Sequence, residues 1–207
     1  MNTDYEEASE HAQFELLIQG LVDNEYGSCD NFISPDIISG LRVNLETLKA
    51  SGKMALAGFG NKQDFQKDKT TRGDQINWIN TGSSDLFEMN YLRKVERFIL
   101  YLNTTCFTSL KSLESHYANY GISEFYVRHK DQFENEKGRQ YSIVLYLNLD
   151  WKIEDGGMLS LYPKGKKQID ISPFGGRMVF FHSSQMEHEV KASFTRDRSS
   201  IAGWLKN

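Results

Sequence analysis

The hydrophobic period of this chain changes near Ser115, and that switch limits what it can fold into. Before it, apolar residues recur at helical spacing. Phe14, Leu17 and Leu21 share a stripe within a helix expected from about Glu6 to Val22. Ser34-Pro35-Asp36 opens a second helix, with serine at the N-cap and proline at the first position, and Gly52 closes it. Leu86, Met89, Leu92, Val95, Ile99 and Leu102 keep three- and four-residue steps, which predicts an amphipathic helix over Ser84–Asn103. After the switch the period is two. Strands are expected near 116–120, 124–129, 141–149, 158–162, 168–171, 177–182, 188–193 and 199–205, punctuated by Gly156-Gly157, Pro163 to Gly165 and Pro173 to Gly176. Short strands in this number imply a sandwich or barrel, and helices covering one face would bury the apolar stripes. The expected architecture is one α+β domain over residues 1–207. Residues 1–114 form a mainly helical support region, and 115–207 form a double-stranded β-helix (jelly-roll) core with the N-terminal helices packed on one sheet.

On that scaffold one spacing carries chemistry. Side chains alternate across a strand, so His129 and Asp131 share a face while Lys130 points away. A strand end cannot enclose a metal alone, so a third ligand must come from elsewhere in the sheet. His188, in Glu187-His188-Glu189-Val190, stands where a strand re-enters after a polar turn. His182 and His116 compete for this place, but His182 directly follows the apolar run Arg177–Phe181 and reads as a strand-end or core histidine. Two imidazoles and a carboxylate are the facial triad that holds non-haem Fe(II) with three positions open. Zinc would accept the same ligands. Arg198, in Arg198-Ser199-Ser200-Ile201-Ala202-Gly203-Trp204, offers a guanidinium fork for the far carboxylate of a chelating cosubstrate, and a zinc enzyme would leave it without a role. Its spacing to Trp204 selects Arg198 over the nearby Arg196.

Composition narrows the partners. A net charge of −4 gives no basic excess for a nucleic-acid backbone, and Lys164, Lys166 and Lys167 around Gly165 read as a solvated hairpin tip. Cys29 and Cys106 are too few for a disulfide framework and read as reduced thiols of a cytoplasmic protein. The acidic start Met1–Glu7 does not read as a signal peptide, and no apolar run is long enough to suggest a membrane partner.

Taken in order, Thr71-Arg72-Gly73-Asp74-Gln75-Ile76-Asn77-Trp78, Tyr126-Val127-Arg128-His129-Lys130-Asp131, Leu145-Tyr146-Leu147-Asn148-Leu149-Asp150-Trp151, Gly156-Gly157, His188-Glu189-Val190 and Arg198…Trp204 resemble the prolyl 4-hydroxylase superfamily. The first of them strengthens the likeness to the hypoxia-inducible-factor prolyl-hydroxylase branch and its bacterial SM-20-like relatives. The resemblance covers about Asp30 to Asn207. It implies an Fe(II)- and 2-oxoglutarate-dependent dioxygenase, with dioxygen as second cosubstrate and ascorbate as a supporting reductant. It further implies His129, Asp131 and His188 as metal ligands, with Arg198 and Tyr146 on the distal carboxylate of 2-oxoglutarate. Tyr120 matches another cosubstrate-contacting tyrosine, and Trp204 an aromatic near the pocket bottom. Arg139 matches a position at the target-peptide entrance, and Tyr126 an active-site aromatic. Gly121-Ile122-Ser123-Glu124 departs from the family pattern, where relatives carry a proline- and glycine-rich turn. The expected reaction is 4-hydroxylation of a prolyl residue in an intracellular protein, with a translation factor such as elongation factor Tu as candidate, by a monomer or weak homodimer. The N-terminal helices and the 132–140 loop are the expected recognition rim. The alternative is a hydroxylase of a free amino acid or small metabolite, which would share every ligand.

Overall fold

A computed structural model describes residues 2–58, 70–132 and 138–207. Three helices, α1 (Asn2–Asn24), α2 (Pro35–Ala50) and α3 (Leu86–Thr105), fall where the apolar stripes place them. Asp85 caps α3, its carboxylate accepting from the backbone N–H of Phe87 and Glu88. Ser34 stands at the N-cap of α2 with Pro35 behind it, but its side chain makes no capping hydrogen bond. Gly52, at φ 68°, ends that helix as its left-handed closing residue.

The strands in the second half are β4 (Ser112–Tyr120), β5 (Tyr126–His129), β6 (Arg139–Tyr146), β7 (Leu159–Tyr162), β8 (Ile169–Ile171), β9 (Met178–His182), β10 (Glu187–Val190) and β11 (Arg198–Lys206). Three more, β1 (Tyr26–Cys29), β2 (Ala55–Leu56) and β3 (Gln75–Trp78), come from the half whose apolar periodicity is helical. They join a seven-stranded sheet ordered β1-β9-β6-β11-β4-β3-β2, which faces a four-stranded sheet ordered β5-β10-β7-β8. Every pairing between these strands is antiparallel. This is the jelly-roll core with helices that the pattern predicts.

Two cores result. Phe14, Leu17, Leu41, Leu45, Val95 and Phe98 of the helices pack against Tyr117, Ile143, Leu145, Ile201 and Leu205 on one face of the large sheet. Between the sheets, Ala118, Tyr146 and Val179 meet Leu159, Leu161, Ile171 and Val190. The period of two decides the division: alternate residues of β4, β6 and β11 serve opposite cores. The face turned from the helices carries His116, Ala118 and Tyr120 of β4; Arg198, Ser200, Ala202 and Trp204 of β11; and Ser142, Val144 and Tyr146 of β6. Register places these side by side, with Arg198 opposite Tyr120, Ser200 between Ala118 and Tyr146, and Ala202 between His116 and Val144. No helix of the described residues is long and apolar enough to cross a membrane.

Candidate metal and cosubstrate site

The three residues of the His-x-Asp and distal-His reading meet between the sheets. His129 ends β5 and His188 lies on β10, and the two are direct cross-strand partners. Their rings sit 4.2 Å apart between centroids. Asp131 follows two residues after His129, and its Oδ1 lies 3.6 Å from Nε2 of each imidazole. One ligand atom from each of the three falls within 4.8 Å of the other two.

The surroundings prepare them as ligands. The Nδ1 atoms lie 2.7 Å from the Val127 carbonyl for His129 and 3.2 Å from the Met186 carbonyl for His188. A carbonyl only accepts, so Nδ1 carries the proton and Nε2 keeps its lone pair. Burial, reinforced by the neighbouring His129, lowers His188 to about 4, which keeps it neutral. Asp131 is held well below the usual carboxylate range. Its burial works the other way, but the facing imidazoles and the Ser142 hydroxyl more than offset it. Ser142 donates to Asp131 Oδ2 at 2.6 Å and is 2.8 Å from the Ser183 hydroxyl. Oδ2 is thereby occupied, and Oδ1 is the oxygen turned to the histidines.

The same pocket extends along β11 to Arg198, which is 2% exposed. Its Nε donates to the Gly157 carbonyl at 2.9 Å, and its guanidinium lies 5.2 Å and 5.0 Å from the ring centroids of Tyr120 and Tyr146. Among the described residues no carboxylate pairs with it. The Tyr146 hydroxyl, also buried, has no hydrogen-bond partner. A buried cation without an anion is costly, and a buried hydroxyl normally finds a partner. Both costs fall away if a carboxylate of a bound molecule sits there. The fit is sound: one end supplies borderline and hard metal ligands, the other an unpaired guanidinium.

A model of the 2OG-Fe(II) oxygenase superfamily matches residues 115–206. Prolyl hydroxylase EGLN3 of Mus musculus is 28% identical over 192 residues, spanning 87% of this chain and 79% of that protein. A crystal structure of a Pseudomonas putida prolyl-4-hydroxylase superposes with a TM-score of 0.85 and 29% identity, covering 94% of this chain and all of that one. The chain is thus similar to 2-oxoglutarate–Fe(II) oxygenases of the prolyl-hydroxylase type. A Trichoplax adhaerens prolyl hydroxylase, solved with a hypoxia-inducible-factor peptide, shares the fold at a TM-score of 0.87 and 24% identity, covering 98% of this chain and 92% of that one. That similarity implies Fe(II), 2-oxoglutarate and dioxygen.

The other expected site residues fall as follows. Tyr120 ends β4, buried beside Arg198, and the departing turn closes with Glu124 accepting from the Gly121 N–H at 2.6 Å. Tyr126 stacks on His129 with centroids 3.5 Å apart. Trp204 lines the pocket floor. Arg139 lies 3.5 Å over the Trp204 ring and pairs with Glu114 at 3.1 Å, so it is tied down. His182 lies against Tyr141, rings tilted at 4.7 Å, and His116 sits between Trp78 and Trp204; neither joins the triad. Residues 133–137 of the expected rim loop lie outside the described residues.

Four roles went unread in the sequence. Arg72 forks onto the fully buried Asp74 at 2.6 and 2.9 Å and covers the Tyr126 ring at 4.6 Å, bracing the tyrosine that stacks on His129. An Arg-Gly-Asp taken alone reads as a turn, and nothing in its own pattern signals this contact. Ser142 and Ser183 orient Asp131, and a serine inside the apolar run of β6 marked an inward polar position. Gly157, at φ 65°, would put a Cβ 3.1 Å from Trp151 and 3.3 Å from Cδ of Arg198, so a glycine is needed there for its carbonyl to reach the guanidinium. His116 lines the pocket outside the triad.

Proposed function

We propose that this chain is an oxygenase that hydroxylates a prolyl residue of a protein at C4, converting 2-oxoglutarate and dioxygen to succinate and carbon dioxide. The observation that carries the reading is Arg198, buried and without an acidic partner, at one end of a pocket whose other end gathers His129, Asp131 and His188. These three residues would hold Fe(II), which with its cosubstrates supplies the oxidation of an unactivated C–H bond. Arg198 would grip the distal carboxylate through a charge-assisted fork while Tyr146 donates its hydroxyl to it. Ser142 and Ser183 hold Asp131 ionised and aimed. Leu159, Val190 and Val144 line the walls between the poles and keep water from them.

Several observations support a peptide as substrate. The Arg72–Asp74 pair and Tyr126 line the pocket, and Trp78, in ring contact with His116 and Trp204 of the same pocket, is half exposed. The net charge of −4 does not favour a nucleic-acid backbone. The Pseudomonas putida relative is a prolyl-4-hydroxylase over nearly the whole chain. A translation factor in the cytoplasm is the proposed target, with the enzyme acting as a monomer or weak homodimer and ascorbate as its supporting reductant. The test is mass spectrometry of host proteins for one added oxygen on proline that requires this chain, Fe(II) and 2-oxoglutarate. Turnover of free proline or another small metabolite, with no protein modified, would replace this substrate by the alternative class.

A further inference from the structure

The pocket has a second pair of polar groups that neither the triad nor Arg198 uses. His116 is 1% exposed and lines the pocket, and both of its ring nitrogens lack a hydrogen-bond partner. The indole Nε1 of Trp204, 7% exposed and lining the same pocket, is unpartnered too. Their rings are neighbours, 5.4 Å between centroids, and Trp78 closes the other side of His116 at 4.9 Å. A neutral imidazole has one N–H to give and one lone pair to fill, and an indole has one N–H to give. Unpaired buried donors and acceptors are rare and cost free energy, so their persistence inside a cavity points to a ligand that pairs them.

Their position along the sheet says which part of a ligand. Arg198 is cross-strand to Tyr120 at one end of β4 and β11, whereas His116 is cross-strand to Ala202, four residues along at the middle of the same two strands. At a strand rise of about 3.3 Å per residue the two levels are roughly 13 Å apart. The metal triad belongs to the His116 level. Ser142, which donates to Asp131, is the cross-strand partner of Trp204, and Arg139 both covers Trp204 and reaches the Asp131 carbonyl at 3.4 Å. A molecule whose distal acid lies at Arg198 therefore presents its other, metal-side end to His116 and Trp204.

We infer that His116, with the Trp204 indole N–H beside it, positions the 2-oxo-acid end of the cosubstrate through hydrogen bonds, as a second polar pole opposite Arg198. The inference rests on the cosubstrate reading of the pocket. It makes His116 a positioning residue, distinct from the metal ligands, and assigns it a preference for a 2-oxo acid over a plain dicarboxylate.

The test is calorimetric binding to protein loaded with Mn(II), which needs no turnover. His116→Leu fills similar space without polar atoms. It should weaken 2-oxoglutarate about tenfold, the worth of one to two hydrogen bonds. Succinate, which has the distal acid but no oxo group, should bind the variant as it binds the parent, and Mn(II) affinity should not change. Because the leucine leaves no unpaired nitrogen, the ligand-free variant should melt higher, by roughly 2–4 °C in a chain of this size. His116→Gln, which can still donate, should restore part of the 2-oxoglutarate affinity. Equal 2-oxoglutarate affinity in His116→Leu would overturn the inference while leaving the pocket reading intact. So would a parallel loss of succinate binding or of melting temperature, since either marks plain packing. No 2-oxoglutarate binding to the parent protein would overturn the pocket reading and this inference together.

Discussion

At the scale of single residues, the site is a set of unpaired or half-paired groups held in place by fully paired ones. Asp131 keeps one oxygen for a metal because Ser142 takes the other, and Ser183 in turn fixes Ser142. Ser142→Ala removes the donor and leaves Oδ2 to compete for direction. Loss of such an outer hydrogen bond costs roughly 10–100-fold in metal affinity, and equilibrium dialysis against Mn(II) should show a fall of that order. An unchanged affinity would mean that backbone alone sets the carboxylate. Arg198→Lys keeps the charge but not the planar fork, and a lysine ammonium cannot donate in parallel to both carboxylate oxygens. The apparent affinity for 2-oxoglutarate should fall about tenfold or more with Mn(II) binding intact, read by calorimetry on the loaded protein. Equal cosubstrate affinity in the two forms would remove Arg198 from the carboxylate role.

At the scale of elements, one close approach holds the helical layer to the sheet. Gly27 of β1 lies under α1 so tightly that an added Cβ would stand 2.0 Å from the Leu17 carbonyl oxygen. Both neighbours are backbone, so nothing can rotate away. Gly27→Ala should cost about 1–3 kcal/mol by forcing helix and strand apart, measurable as a lower urea midpoint. A midpoint equal to the parent's would show that α1 is free to shift. The same glycine explains why β1 was invisible in the sequence. Its buried positions are Gly27 and Cys29, which are small, so the alternation in Tyr26-Gly27-Ser28-Cys29 carries no hydrophobic signal. β2 is two residues long, and β3 exposes Gln75 and Trp78 where an alternating strand would bury one face. Each of these three is an added strand of the large sheet, fixed by pairing with a neighbour rather than by its own pattern. The strands β4 to β11 were legible because they wall the cores: β9, buried on both faces, reads as a continuous apolar run, and β10, buried on one, alternates. The triad was legible for a related reason: a His-x-Asp on one strand face and a histidine at the start of another need only antiparallel pairing to meet, and His188 opposite His129 is that pairing. Contacts set by tertiary packing alone, such as Arg72 with Asp74 beneath Tyr126, left no periodic trace.

At the scale of the whole molecule, a pocket of unpaired polar groups must show in stability against pH. His116 and His188 are both lowered to about 4 from an ordinary 6.5, and burial is the largest cause for each. The folded chain therefore holds both imidazoles neutral across a range where the unfolded chain protonates them. Between about pH 6.5 and pH 4 the unfolded state binds more protons, so stability falls as the pH is lowered through that window. Each imidazole can account for up to about 3 kcal/mol over the full window. Asp131 acts below it: a carboxylate held under its ordinary 3.8 loses its contribution only when the pH drops past that value. Paired carboxylates such as Glu10 and Glu114, ordinarily near 4.5, enter at the lower edge. The diagnostic range is thus pH 6.5 to 5, above the carboxylates, where His182, also lowered by its burial, adds to the two pocket histidines. Urea unfolding with a chelator present, so that no metal holds His188, should lose stability with a slope of about two protons per molecule or more. His116→Leu should lower that slope by about one proton. A flat profile from pH 6.5 to 5 would mean that both imidazoles reach water in solution, and the closed pocket built around them would have to be redrawn.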